Sequence, residues 1–356
     1  MRLRHACAVL MTTLGITGCV DTEKLGLLQA GTGLAAHELC SRIFVSGQQE
    51  QQIIDDVIDP VSFPMTWFWS KSVDAENKRV DISIPLMPWI QTNTAIFREG
   101  MGCTLIKERT VEELLAESIM PNRMLDNPQS HMPVNINADL QKSIQYWFEE
   151  PHSSEFKQQN TYAGLVYHQG KIIAEQYVEG HNNTMPMIGW SMGKTLTALL
   201  TGILFDKGQL KPDDVVLEAN QKRPYPVTVK HLLHMSAGLE WEEVADKPSP
   251  ISELLYIYGD SAAYTRTQPQ VSEPGTEYLY STGATQLLAK FIQDKLGSSS
   301  QNIYDFYTQS LFHPLGIDTA IFEFDSVGTF WGGARPFVTS RDWLKIGKMV
   351  ANKGVW

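Results

Sequence analysis

The chain has 356 residues, 43% of them hydrophobic, 19% charged and 10% aromatic, with a formal charge of -11 from 29 basic and 40 acidic side chains. This is ordinary globular composition, which excludes a disordered, collagen-like or low-complexity protein and leaves ample chain to bury a core. The acidic balance argues against a nucleic-acid partner, which needs basic side chains to displace phosphate counterions, and no Walker or zinc-finger pattern occurs.

At the start of the chain, Arg2 and Arg4 precede an apolar run over 6–16 that is too short to span a bilayer as a mature helix. The pattern predicts a secretory leader over 1–18. It closes on Ile16-Thr17-Gly18-Cys19, which resembles the cleavage site of bacterial lipoproteins. That resemblance implies an acylated Cys19, an extracytoplasmic and periplasmic location, and membrane attachment through buried methylenes. An ordinary leader cleaved nearby is the alternative. Cys7 lies in the leader, which leaves Cys40 and Cys103. In an oxidising compartment these can form a disulfide, or they can remain two buried thiols, since sequence does not supply the geometry.

Residues 19–36 carry small side chains (Gly31, Thr32, Gly33, Ala35, Ala36) and read as a tether or the first turns of a helix. Residues 37–132 read as a small N-terminal accessory region with strand-like pieces over 80–86 and 94–98. A polar, proline-containing crossing over 111–132 closes it. The main domain is expected over 133–356. Asn137 precedes a helical run with Leu140, Ile144, Trp147 and Phe148 on one face. Strands over 162–167 and 171–178 are joined by His168-Gln169-Gly170 as a hairpin turn. The stripe Leu196, Leu199, Leu200, Ile203 and Leu204 predicts a helix over 191–206, stopped by Gly208. Further helices are expected over 229–235 and 284–296, and the pattern as a whole is α+β.

Ser191-Met192-Gly193-Lys194 opens the best of these helices. Residues at i and i+3 share a helix face, so the Ser191 hydroxyl and the Lys194 amine can meet. A serine hydroxyl is a weak nucleophile until a base takes its proton, and a lysine serves as that base only when its pKa is depressed. The helix N-terminus supplies positive potential and polarises the Ser191 backbone N–H, half of an oxyanion hole. The same spacing recurs in Ser154-Glu155-Phe156-Lys157, but in a polar stretch with no strong helix behind it, and is read as a chance match. Tyr280-Ser281-Thr282 follows Glu273-Pro274-Gly275 and leads into a helix, where a tyrosine hydroxyl can reach a cleft and move a proton.

These elements together resemble the β-lactamase-related serine hydrolases: class C β-lactamases, DD-peptidases, family VIII esterases and 6-aminohexanoate-dimer hydrolases. The resemblance covers about 162–356. It rests on Trp190-Ser191-Met192-Gly193-Lys194, the segment His231-Leu232-Leu233-His234-Met235-Ser236-Ala237-Gly238-Leu239, Pro274-Gly275 with Tyr280-Ser281-Thr282, Pro314-Leu315-Gly316, and Arg341-Asp342-Trp343. The Trp before the serine and the closing Arg-Asp-Trp lean toward the 6-aminohexanoate-dimer hydrolase branch. The resemblance implies a β-lactamase/DD-peptidase-like α+β fold, an antiparallel sheet flanked by a helical subdomain. It also implies Ser191 as acylated nucleophile, Lys194 as general base, Tyr280 as proton shuttle, a small amide, ester or peptide-like substrate, and no cofactor.

Two departures stand out. Many relatives carry Asn where Thr282 stands, and no Lys-Thr-Gly element occurs, so the domain is expected to be C-terminally incomplete. Three alternatives remain. One is a catalytically impaired binding or sensing member of the same fold, with Trp67, Phe68 and Trp69 as contacts. Another is an α/β-hydrolase using Gly189-Trp190-Ser191-Met192-Gly193 as a nucleophile elbow. The third is a metal site on His231 and His234, less well supported than two ordinary helix histidines.

Overall fold

A computed structural model describes residues 22–87, 90–122, 132–149, 160–244 and 248–356. The leader, Cys19 and the Ser154–Lys157 string lie outside the described residues. Mixed helices and antiparallel sheets build the molecule, in agreement with the expected fold class. A four-stranded sheet runs in order β1 (Ser70–Asp74), β2 (Arg79–Ser83), β3 (Asn93–Arg98), β4 (Gly102–Leu105). A hairpin pairs β5 (Ala163–His168) with β6 (Lys171–Tyr177), and β8 (Val215–Leu217) pairs with β9 (Val227–Thr228). In the remaining sheet, β11 (Pro336–Thr339) lies between β10 (Ile321–Phe322) and β7 (Pro186–Ile188). Every pairing between these strands is antiparallel. A nucleophile elbow requires a parallel sheet, so the α/β-hydrolase alternative is set aside.

Local signals and structure agree along the main domain. The hairpin turn places Gln169 at φ 46° and Gly170 at φ 85°, the positive-φ pair that matches the twist of a two-stranded ribbon. The Asn137 side chain accepts the amides of Asp139 and Leu140 and caps the helix Ala138–Gln145. The serine helix runs Met192–Asp206 with Ser191 in the N-cap position, and buries Leu196, Leu200 and Leu204. That stripe shares one hydrophobic core with Leu287, Leu288 and Ile292 of the helix Thr282–Lys295 and with Tyr307, Phe312, Phe322 and Phe330.

The N-terminal part differs from expectation. Of the two readings of the small-residue stretch, a tether or the first turns of a helix, the structure takes the helix from Thr22, Thr22–Ser41, with Ala35, Ala36, Leu39 and Cys40 fully buried. Its small residues serve close approach: a Cβ on Gly33 would come within 2.8 Å of the Tyr256 carbonyl, and one on Gly31 within 3.3 Å of the Trp69 ring. Residues 37–132 do not stand apart as an accessory region either. Leu39, Val80, Ile82, Ala95 and Cys103 share one hydrophobic cluster with Trp241, Leu254, Tyr256, Trp331 and Ala334 of the main domain. Cys40 and Cys103 form a disulfide that ties this helix to β4.

A buried polar network completes the join. Arg335, fully buried, donates to Glu38 at 2.8 Å and to Ser41 at 3.0 Å on the N-terminal helix, and to Glu323 beside its own strand. Ser41 and the Cys103 amide donate to the other oxygen of Glu323, at 2.6 and 2.8 Å. Burial pushes the Glu38 carboxyl up, but Arg335 and Arg42 outweigh it and hold it down at about 2. Every charge in this cluster has a partner of opposite sign, the condition under which buried ions are tolerated.

Candidate active site

The serine turn begins where β7 ends. The Gly189 amide donates to the Pro336 carbonyl at 2.7 Å, and a Cβ there would meet the Trp343 ring at 2.7 Å. Trp190 then takes φ 42°, a left-handed conformation that a bulky residue adopts only under constraint from its surroundings. Its ring lies 5.5 Å from the Arg335 guanidinium carbon, so the buried network supports the turn that presents Ser191. Trp343 opens the helix Ser340–Ala351, and Arg341 in the same turn grips Glu175 of β6 through two hydrogen bonds of 2.8 and 2.7 Å. The Arg-Asp-Trp motif therefore braces the serine turn from behind.

Ser191 is exposed at the helix N-terminus and Lys194 is half-buried one turn on. The Lys194 Nζ lies 3.0 Å from Ser191 Oγ, 2.8 Å from Thr282 Oγ1 and 2.8 Å from the Gly333 carbonyl oxygen. Burial pushes the amine down to about 8, against the pull of the Glu243 carboxylate, which favours the charged form. Tyr280 stands at the same mouth, its ring centroid 4.9 Å from Nζ. The Leu279 amide donates to the Met235 carbonyl at 2.7 Å and the Gly275 amide to the Ser236 carbonyl at 2.8 Å. The His231–Leu239 segment thus holds the tyrosine loop in place.

Three of the expected residues, Ser191, Lys194 and Tyr280, are brought together. His231 is not part of this group: its Nδ1 accepts the Thr228 amide at 3.2 Å, a cap on its own short helix. Among the described residues no group of three or more His, Cys, Asp or Glu could hold a metal ion. Trp67 and Phe68 are exposed, whereas Trp69 is half-buried against the N-terminal cluster.

Two further contributors, Gly333 and Glu243, escape sequence reasoning, which marks Thr282 only as a departure from related sequences. Gly333 supplies a backbone acceptor, and the Gly332-Gly333 pair before Arg335-Pro336 is its only trace in the chain. Thr282 acts as a hydrogen-bond partner of Lys194 through its hydroxyl. Glu243 accepts the Thr282 hydroxyl on one oxygen, and the Thr282 amide at 3.0 Å together with the Trp241 indole N–H on the other. Trp241 is fixed because Gly283 leaves room for its ring, which would lie 2.5 Å from a Cβ there. In sequence, Glu240, Glu242 and Glu243 look like one solvated acidic loop.

Residues 155–343 match the family model described as Beta-lactamase. No curated protein matches the chain. Among solved structures, it is similar to a Bacillus anthracis protein carrying a provisional 6-aminohexanoate-dimer hydrolase name (TM-score 0.55, 17% identity, 67% of this chain and 67% of that chain). It is also similar to FmtA from Staphylococcus aureus (TM-score 0.45, 17% identity, 70% and 75%) and to a Bacteroides dorei protein named as a beta-lactamase (TM-score 0.47, 19% identity, 61% and 64%). At 17% identity, the likeness to the Bacillus anthracis protein bears on the fold alone.

Proposed function

From the premise that this chain belongs to the beta-lactamase family of serine hydrolases, we propose that it cleaves a small amide or ester through an acyl-enzyme on Ser191. The observation that carries this reading is the half-buried Lys194 amine, 3.0 Å from the Ser191 hydroxyl. In the proposed reaction Ser191 Oγ attacks the carbonyl carbon while its proton passes to Lys194 Nζ. The carbonyl π electrons move to oxygen, where the Ser191 N–H at the helix N-terminus stabilises the charge. Collapse expels the leaving group, which takes the proton from Lys194 by way of the Tyr280 hydroxyl. Water then attacks the ester carbon, its proton going to the same base. Collapse breaks the bond to Ser191 Oγ as that proton passes from the base to the departing oxygen, which restores the serine hydroxyl, the neutral amine and the free acid. The proposal includes export and lipid attachment at Cys19, supported by the leader pattern and by the Cys40–Cys103 disulfide.

Covalent labelling by a fluorophosphonate, with peptide mapping, tests the reading. Label is expected on Ser191 and absent in Ser191→Ala. In Lys194→Ala labelling slows by roughly 100-fold or more, the contribution typical of a positioned base. Label on another residue, or an undiminished rate in Lys194→Ala, overturns it.

A further inference from the structure

An amine that serves as a base must direct its lone pair at the proton it removes. Neutral Lys194 has two N–H bonds and one lone pair to distribute among three neighbours. The Gly333 carbonyl can only accept, so one N–H is committed there. The Thr282 hydroxyl can either donate or accept, and the outcome decides where the lone pair points. If it donated to Lys194, it would occupy the lone pair and leave an N–H facing Ser191. Its neighbour settles the matter. Both Glu243 oxygens face donors: the backbone amide of Thr282 and the Trp241 indole on one, and the Thr282 hydroxyl on the other. A carboxylate has no proton to offer, so the hydroxyl donates to Glu243 and accepts from Lys194. Both N–H bonds of the amine are then used, and the lone pair is left for Ser191.

We propose that Glu243 is a positioning residue that acts through the Thr282 hydroxyl to reserve the Lys194 lone pair for Ser191. The inference rests on the serine–lysine reading and adds to it a second-tier carboxylate and a reason for threonine at 282. It gives Glu243 two effects of opposite sense on the base. The carboxylate orients the hydrogen bonds, and its charge raises the proton affinity of the amine. The other groups around Nζ are the Tyr280 ring, the Ser191 hydroxyl and the Gly333 carbonyl. The Arg335 guanidinium lies behind Trp190, committed to Glu38 and Glu323.

Glu243→Gln separates these effects. The glutamine carbonyl must remain on the two N–H donors, which cannot accept, so its NH2 faces Thr282 Oγ1. That hydroxyl then turns its proton toward Lys194 and captures the lone pair. The labelling rate of Ser191 is measured from pH 6 to 10 in the unmodified chain, Glu243→Gln, Thr282→Val, the double variant and Thr282→Ser. In Glu243→Gln the plateau rate falls roughly 10- to 100-fold, part of what a base contributes. The acid limb of the profile moves to lower pH because the charge that favoured the ammonium is gone. Thr282→Ser keeps the hydroxyl and restores most of the rate. In the Thr282→Val background the Glu243→Gln change lowers the plateau no further, since the carboxylate acts through that hydroxyl. A plateau unchanged in Glu243→Gln, or losses that multiply in the double variant, sinks the role given to Glu243 while leaving the serine–lysine reading intact. Absence of label on Ser191 in the unmodified chain sinks both.

Discussion

A lysine ammonium in water releases its proton near 10.4, too high for a base at neutral pH. Around Lys194, burial lowers that value to about 8, and the nearby Glu243 carboxylate limits the fall. The working form of a base is the neutral amine, which is fully populated above the pKa and lost below it. The labelling rate of Ser191 should therefore fall about tenfold per pH unit once the pH drops below roughly 8. A pH-independent probe followed from pH 6 to 10 checks this. Lys194→Arg should be inactive across the whole range, because a guanidinium remains protonated. A flat profile between pH 6 and 8 would assign proton removal to another group.

At the scale of elements, the site depends on how closely the serine helix approaches the loop before β11. Thr197, one turn beyond Lys194, donates its hydroxyl to the Gly332 carbonyl at 2.8 Å, and a Cβ on Gly332 would lie 2.6 Å from that hydroxyl and 2.8 Å from Ala289. The neighbouring Gly333 holds Lys194. Gly332→Ala must push the helix and loop apart, and overpacking of this kind typically costs about 1–3 kcal/mol. The expected result is a lower melting temperature together with slower labelling, as the Gly333 carbonyl moves away from the amine. Thermal unfolding and labelling rate, measured on the same sample, check both halves. Preserved stability and preserved rate would show that the helix–loop gap is looser than the contact distances imply.

For the molecule as a whole, the N-terminal helix is part of the hydrolase body. It carries Glu38 and Ser41 to Arg335, and Arg335 supports Trp190 beside the nucleophile. The disulfide closes a loop of 63 residues, and confining such a loop in the unfolded chain corresponds to about 4 kcal/mol. Cys40→Ala with Cys103→Ala should lower the midpoint of urea unfolding accordingly. It should also slow labelling more than Gly26→Ala, at a position where a Cβ meets nothing within 4 Å. A double variant with unchanged midpoint would mean that hydrophobic and ionic contacts alone hold the helix in place.

The signals legible in the amino-acid order are local. An i, i+3 spacing on a helix brings Ser191 and Lys194 together, a Gln-Gly turn makes the β5–β6 hairpin, and a leucine stripe selects the buried face of the serine helix. Each depends on residues a few positions apart, whose relative placement follows from helix or strand geometry alone. The other contributors meet only through long-range packing. Glu243 reaches Thr282 across 39 residues, the Gly333 carbonyl reaches Lys194 across 139, and Glu38 reaches Arg335 across 297. No periodicity encodes such meetings. A run of Gly, Thr and Ala reads the same in a tether as in a helix sunk between a sheet and its neighbours. Only the packing partners, Tyr256 and Trp69 here, distinguish the two.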